Sequence, residues 1–239
     1  MTTATSPAST DSGRTLKDEI IERYGEPAWH VILTIYVNFY YSELEIIDLC
    51  GRWIPIRGDL REKNYLLRHA ADEVVHARLF QEGVEKLGQP WDGFDHDAYR
   101  IPDIDARFDK LYVSDDELEV LIGLNLYAEG VLAMEELAQL ARNKPEYFYQ
   151  FGRIEREERR HVAFGVTVAK RLVAESEENR QRALAHRRWY REHLENYLSG
   201  QLKDSIQWGI EAGFVGDDYI QRTRQRFDDV FAKIGLGED

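Results

Sequence analysis

The sequence predicts an all-α protein built around long helices, and its composition favours that fold. Only 6 of the 239 residues are proline, 31% are charged, and long segments are rich in Glu, Leu, Ala and Arg. Hydrophobic residues make up 43% of the chain, which is enough for a sizeable core. We expect a single domain over residues 14–239, preceded by a disordered tail rich in Ser, Thr and Ala at 1–13.

The first two long helices are predicted from their boundary residues. Pro27 suits the first turn of a helix that runs to about residue 52. After a turn rich in Pro and Gly, a second helix is expected over about 59–87. The stretch 89–112 has little periodicity, and its length suits a crossover from one end of a bundle to the other.

Two more long helices are expected after the crossover. Ser114 begins a Ser-Asp-Asp-Glu sequence with the spacing of a capping box, which predicts a third helix to about Asn143. Pro145 is expected to begin a fourth helix that reaches about Glu175. The bundle would therefore span about 27–175. Further helices, separated by glycines, are predicted over about 178–198, 201–212 and 217–234, so that the C-terminal helices occupy about 178–235.

The charge and the cysteine content exclude several classes of protein. The net charge of −13 argues against nucleic acid or an anionic membrane as a partner, and it suits a basic electron-transfer protein. The single cysteine, Cys50, excludes an internal disulfide and a Cys-x-x-Cys metal site. The chain shows neither an uncharged apolar run of membrane-spanning length nor a secretory signal. We therefore expect a soluble cytoplasmic protein, with a homodimer as one possible assembly.

Two Glu-x-x-His motifs indicate a metal site. Glu73 and His76 lie in the second predicted helix, and Glu158 and His161 lie in the fourth. Residues three apart share one face of a helix, and both motifs fall on the apolar stripe of their helix. A charged group in a buried stripe is costly unless it is paired or bound to metal. The motifs therefore predict ligands that point into the bundle.

The other two helices each supply one candidate acid. Glu129 interrupts the apolar stripe of the third helix. The first helix offers Glu43, which lies on its apolar stripe, and Glu45, which falls among polar residues; we favour Glu43 and leave Glu45 open. The steps from Glu43 to Glu73 and from Glu129 to Glu158 are 30 and 29 residues. This internal repeat of one Glu followed by Glu-x-x-His strengthens the metal hypothesis.

Other roles for these residues remain open at the level of the sequence. His69 lies one turn before Glu73 on the same face, and a hydrogen-bonded core histidine is favoured over an added ligand. The acids could instead form ion pairs on a solvated or inter-helix surface. The candidate partners for such pairs are Arg78, Arg153, Arg156 and Arg159.

The motifs resemble those of the ferritin-like di-iron carboxylate superfamily, over about residues 27–172. The resemblance implies a ferritin-like four-helix bundle with additional C-terminal helices. It also implies that the Glu of each motif bridges two iron ions, with manganese possible at one site, and that Asp72 and Glu157 orient the histidines. The six implied ligands are Glu43, Glu73, His76, Glu129, Glu158 and His161.

Some branches of that superfamily do not fit the residues. One cysteine excludes the rubredoxin-like site of rubrerythrins, and Phe80 stands where reductase small subunits carry a radical tyrosine. Ile154 stands where some N-oxygenases carry an added histidine. What remains is similar to compact single-chain oxygenases, and resembles aldehyde-deformylating oxygenases in length and ligand order.

The resemblance implies a monooxygenase-type oxidoreductase that uses O2 to hydroxylate, N-oxygenate, desaturate or cleave a small or medium organic substrate. A ferredoxin or reductase would supply electrons. Tyr40 and Tyr127 are candidate pocket residues, although aromatic residues on buried stripes are more often core. The alternatives are a ferroxidase or peroxide-scavenging protein without an organic substrate, and a helical bundle that binds no metal.

Overall fold

The computed structural model of the chain describes residues 15–148, 150–200 and 202–237. The predicted tail at 1–13 lies outside the described residues. Within them every regular element is helical, which confirms the all-α prediction. The helices are α1 (Leu16–Tyr24), α2 (Glu26–Trp53), α3 (Leu60–Lys86), α4 (Pro102–Val113), α5 (Glu117–Leu121), a π-segment (Ile122–Ala133), α6 (Met134–Asn143), α7 (Phe151–Glu175), α8 (Glu177–Ser199), α9 (Lys203–Glu211) and α10 (Tyr219–Lys233), with a 3₁₀ turn at Asp97–Tyr99.

Two helix pairs form the bundle. α2 packs along α3, and the continuous rod formed by α5, the π-segment and α6 packs along α7. α1 lies against α2, while α8 and α10 pack on the outer side of the second pair. Across the part of the chain that the structure covers, no helix is both long and apolar enough to cross a membrane.

The two predicted helices of the first pair match α2 and α3 closely. Pro27 lies in the first turn of α2, where its missing N–H would have no helical partner. Asp59 caps α3, because its side chain accepts a hydrogen bond from the backbone N–H of Arg61. These boundaries set the lengths of α2 and α3, and therefore the height along the bundle at which the candidate metal ligands of these two helices lie.

Three other predictions need correction. α1 was not predicted, and the supposed irregular crossover contains α4, which begins at Pro102. The fourth helix begins at Phe151 rather than at Pro145. Residues 145–147 form a turn instead: Tyr147 and Phe148 are buried in the core, and the hydroxyl of Tyr36 donates to the carbonyl oxygen of Tyr147 at 2.5 Å.

The π-segment occupies the middle of the predicted third helix. Eleven of its twelve residues, from Ile122 to Leu132, are buried, and Glu129 is among them. π-helices are usually single turns at functional sites, and their wider turn changes which residues share a face. Here Asn125 and Glu129 face the same way, and the Asn125 side-chain amide donates to the Glu129 carboxylate at 2.8 Å.

A glycine lets α7 approach the π-segment closely. A Cβ atom on Gly165 would lie 2.3 Å from the Cβ of Asn125 and 3.1 Å from a methyl group of Leu126. Only glycine therefore fits at this crossing. Gly165 lies one turn after His161, so the close approach brings the second Glu-x-x-His motif up to Glu129.

Candidate metal centre

Each of the four bundle helices places one buried glutamate at a common level. None of these glutamates is more than 4% exposed, and their carboxylates face one another across the bundle. They are Glu43 on α2, Glu73 on α3, Glu129 on the π-segment and Glu158 on α7. Glu45, the alternative on α2, is only half-buried and lies outside the cluster.

The first group of donors consists of Glu43, Glu73, His76 and Glu158. Their ligand atoms all lie within 4.8 Å of one another, as a metal ion would require. The Nδ1 atom of His76 lies 2.6 Å from Oε2 of Glu73 and 3.1 Å from Oε1 of Glu158. One nitrogen and several carboxylate oxygens form a donor set that suits iron or manganese.

The second group consists of His69, Glu73, Glu129 and His161, again within 4.8 Å. The Nε2 atom of His69 lies 2.9 Å from Oε1 of Glu73 and 2.8 Å from Oε1 of Glu129. The Nδ1 atom of His161 lies 3.0 Å from the same oxygen of Glu73. This group contains two histidines, whereas the first contains one.

Two carboxylates contact both groups. Oε2 of Glu73 faces His76, while its Oε1 faces His161. Oε1 of Glu158 faces His76, while its Oε2 lies 3.0 Å from Nδ1 of His161. Each carboxylate thus offers one oxygen to each group, which is the arrangement that bridging ligands require.

His69 is the residue that sequence reasoning placed differently. Its Nε2 lies within 3 Å of Oε1 of Glu73 and Oε1 of Glu129, yet among the described residues none of these three atoms forms a hydrogen bond with good geometry. Three buried polar atoms that converge on one point without well-aligned hydrogen bonds fit a metal ion better than a core hydrogen bond. The other ring nitrogen, Nδ1, lies 3.4 Å from the hydroxyl of Tyr65, which orients the ring. The spacing His-x-x-x-Glu-x-x-His was the signal that could have identified it.

The acids that precede each motif hold the histidine of the other motif. Oδ2 of Asp72 on α3 lies 3.3 Å from Nε2 of His161 on α7. Oε2 of Glu157 on α7 lies 3.0 Å from Nε2 of His76 on α3. These crossed contacts leave the Nδ1 atoms of both histidines directed at the two donor groups.

The arginines near the motifs pair with outer acids. Arg160 pairs with Asp72 and Arg153 with Glu157, while Arg159 pairs with Glu155. Among the described residues, none of the four central glutamates forms an ion pair with an arginine. Their charges face only histidines and one another, so the ion-pair alternative does not describe this cluster.

Electrostatics tie the donors together. Burial and the charges of Glu73 and Glu158 raise the pKa of Glu43 well above its usual range. Burial opposes ionisation of Glu73, but the adjacent imidazoles of His161, His69 and His76 hold its pKa well below the usual range. Although burial lowers the pKa of a histidine, hydrogen bonds to Glu158 and Glu73 raise the pKa of His76 to about 12 and that of His161 to about 10.

A cavity of about 220 Å³ adjoins the centre. Glu43, Glu129 and Glu158 line it together with many apolar side chains, so one wall of the cavity consists of candidate metal ligands. Tyr40 and Tyr127 do not line it. Tyr40 packs on Trp91, at 4.4 Å between ring centroids, and Tyr127 points away from the cavity. The walls near Glu43 and Glu129 come instead from Phe39, Ser42, Ala128 and Leu132.

The fold and the donor set define a ferritin-like bundle with two buried groups suited to hold two metal ions. No protein-family model and no curated protein matches the chain. Among solved structures, an R2-like ligand-binding oxidase from Sulfolobus acidocaldarius matches with a TM-score of 0.68 and 17% identity, covering 93% of this chain and 83% of that chain. A mutant R2-like ligand-binding oxidase with an aerobically reconstituted Mn/Fe cofactor also matches with a TM-score of 0.68, at 16% identity, over 91% of this chain and 84% of that chain. At this level of identity, the similarity shows that the chain shares the fold of these oxidases.

Proposed function

We propose that the chain is a di-metal oxidoreductase that uses O2 to oxidise a small or medium organic molecule. One observation carries the proposal: Glu43, Glu129 and Glu158 belong both to the donor cluster and to the cavity wall. A molecule in the cavity would therefore lie directly against the metal ligands. Enzyme sites of this class are largely apolar cavities with a few converging polar groups.

The residues of the site would bind the metals, orient the histidines and exclude water. Bound metals would supply the chemistry that activates O2, and Glu73 and Glu158, each with one oxygen toward each donor group, would help to hold both ions. Asp72 and Glu157 would fix the ring orientations of His161 and His76 through contacts with their Nε2 atoms. The apolar wall would exclude water from the oxidised position. The net charge of −13 suits a basic ferredoxin or reductase as the electron donor.

The two donor groups differ in a way that bears on metal identity. The group of Glu43 has one imidazole, whereas the group of His69 has two, so the group of Glu43 is the richer in carboxylates relative to nitrogen. Carboxylates suit manganese, while imidazole favours iron. We propose iron at both sites, and any manganese would occupy the group of Glu43. The Mn/Fe cofactor of the neighbouring oxidase is a precedent for a mixed pair.

Metal loading is the first test. Protein loaded anaerobically with ferrous iron and freed of excess by gel filtration should retain about two irons per chain, and mixing with O2 should produce a transient optical band. A Glu43→Ala variant should retain less iron, whereas Glu45→Ala should match the wild type. Well-folded protein that retains no iron would overturn the proposal.

A second experiment separates organic oxidation from simple iron oxidation. An Ala133→Phe variant should fill the cavity while leaving the ligands in place, because Ala133 lines the cavity but belongs to neither donor group. It should keep its iron and lose oxidation of any substrate found by screening. A ferroxidase would instead oxidise many irons per chain, and the cavity variant would oxidise iron as fast as the wild type.

A further inference from the structure

Arg107 is a buried cation without a counter-ion in the cavity wall. It lies on α4, is 5% exposed and lines the cavity. Its Nε and Nη1 atoms have no hydrogen-bond partner, and among the described residues it forms no ion pair. Its guanidinium lies near two rings, 5.1 Å from the centroid of Phe108 and 5.9 Å from that of Tyr127. An unpaired buried charge is strongly unfavourable, so a partner is expected.

Partly buried arginines elsewhere in the protein do have partners. Arg52 pairs with Asp115 at 2.8 Å, and Arg100 pairs with Asp105 at 2.7 Å. Arg107 is more buried than either, so its desolvation cost is higher and its need for an anion is greater. The difference points to a negative group that the described part of the chain does not itself supply.

The groups around Arg107 do not neutralise it: Asp103, one turn earlier on α4, is exposed and forms no ion pair with Arg107 among the described residues, and two neighbouring side chains are neutral. Burial and the charge of Arg107 lower the pKa of His193 to about 4, so this histidine is neutral at pH 7. Burial raises the pKa of Tyr127, whose hydroxyl is hydrogen-bonded to Nδ1 of His193 at 2.8 Å, so this tyrosine also stays neutral. The four glutamates of the metal centre would be balanced by two divalent ions.

Besides Arg107 and the glutamates of the metal centre, the cavity wall contains the carboxyl group of Glu136, which can become neutral whereas the guanidinium of Arg107 cannot. Glu136 forms no ion pair among the described residues, and burial raises its pKa to about 7. A carboxyl group can lose its charge by binding a proton, whereas a guanidinium stays charged at any physiological pH. The uncompensated charge in this cavity is therefore positive.

We propose that the cavity binds an apolar organic acid whose carboxylate pairs with Arg107. A guanidinium can hold a carboxylate through two parallel hydrogen bonds, which fixes its orientation as well as its position. The apolar walls, with Ile35, Phe39 and Leu132, would take the hydrocarbon part. This inference rests on the proposed function and narrows its substrate class.

The test measures binding to iron-loaded protein by calorimetry without O2, so that no turnover occurs. The probes are phenylalkanoic acids with side chains of one to seven carbons, the amide of each acid, and acetate. The best acid should bind at least tenfold more tightly than its amide. An Arg107→Gln variant should lose this preference, while the paired arginine variant Arg52→Gln should keep it. Iron content should be unchanged in both variants.

Four outcomes would overturn the inference. The first two are that no acid in the series binds, or that acid and amide bind equally. The third is that the preference for the acid survives in Arg107→Gln, which would mean that the metals hold the carboxylate. The fourth is that acetate binds as tightly as the best acid. Oxygen uptake is measured on the same preparations. If the protein prefers the acid over its amide but takes up no oxygen, only the proposed function is contradicted. If it takes up oxygen normally but shows no preference for the acid, only the acid site is contradicted.

Discussion

At the scale of single residues, His69 determines how many nitrogen donors the second metal ion meets. Its Nε2 lies within 3 Å of Oε1 of Glu73 and Oε1 of Glu129, while the hydroxyl of Tyr65 lies near its other ring nitrogen. The cavity is lined by Glu43, Glu129 and Glu158 but not by His69. His69 therefore belongs to the part of the donor cluster that does not face the cavity.

Replacing His69 should therefore remove metal from one site. We expect His69→Gly to retain about one iron per chain instead of two, and added imidazole to restore the second, because imidazole can enter the space left by the side chain. Metal analysis after gel filtration measures this. The control is His193→Gln, which changes a half-buried histidine away from the centre and should keep two irons. Two irons in His69→Gly would show that His69 is not a ligand.

The pKa values of the donors predict how metal binding depends on pH. His76, with a pKa of about 12, and His161, with a pKa of about 10, carry protons at pH 7 when no metal is bound. A metal ion binds neutral imidazole, so the ion beside His76 must displace at least one proton, and the ion beside His161 and His69, whose pKa is also raised, at least two. Affinity should then rise by at least about tenfold per pH unit between pH 6 and 8. Competition with a chelator of known affinity measures it, and an affinity independent of pH would contradict the assignment.

Residue patterns in the sequence were sufficient to locate much of this cluster. Motif spacing and the position of Glu43 on an apolar stripe identified six residues that the structure brings together. Spacing could not decide the role of His69, because a buried histidine one turn from a ligand can face either a core partner or a metal. Tyr40 and Tyr127 were candidate pocket residues, with core packing as the commoner role of such aromatics, and the structure packs Tyr40 on Trp91 and bonds the Tyr127 hydroxyl to His193.

At the scale of the elements, the close crossing of α7 and the π-segment positions Glu129 against His161. The crossing depends on Gly165, whose missing side chain admits Asn125, and Asn125 in turn donates to the carboxylate of Glu129. Packing and ligand orientation are thus set by the same contact.

A methyl group at this crossing should be costly. Gly165→Ala should lower the free energy of unfolding by about 1–3 kcal/mol, because its Cβ would overlap the Asn125 side chain and force the helices apart. The matched control is Gly51→Ala, an exposed helical glycine whose Cβ would meet nothing within 4 Å. That change should stabilise the protein by about 0.5–1 kcal/mol. Urea denaturation compares them, and equal effects would contradict the packing argument.

Helix boundaries were predictable where proline, glycine and a capping residue coincide, as at the ends of α2 and α3. α1 has nine residues and is too short to be stable alone, so packing on α2 decides its existence. The π-segment has no residue signature that separates it from an α-helix. Pro145 failed as a helix start because burial of Tyr147 and Phe148 outweighed the local preference.

At the scale of the whole molecule, the C-terminal helices supply part of the cavity wall and also pack on α1. Phe214, between α9 and α10, lines the cavity and is buried at 1% exposure. Its ring lies 5.3 Å from Tyr24 of α1 and 4.9 Å from Trp208 of α9, measured between ring centroids. The C-terminal helices are therefore part of the cavity and not an appendage to the bundle.

Truncating this contact should affect stability strongly. Phe214→Ala should lower the free energy of unfolding by about 3–5 kcal/mol, because it leaves a hole among several aromatic rings. Val113→Ala, at a position that is 76% exposed, should change it by less than about 0.5 kcal/mol. Thermal and urea unfolding provide the comparison. A small loss in Phe214→Ala would show that the C-terminal region packs independently of the bundle.

The crossed contacts of Asp72 with His161 and of Glu157 with His76 join two halves of the chain that are far apart in sequence. Each half supplies the carboxylate that orients the histidine of the other half. Because neither half can complete the site alone, we expect metal to bind only after the two halves have packed together, and bound metal would then keep them together.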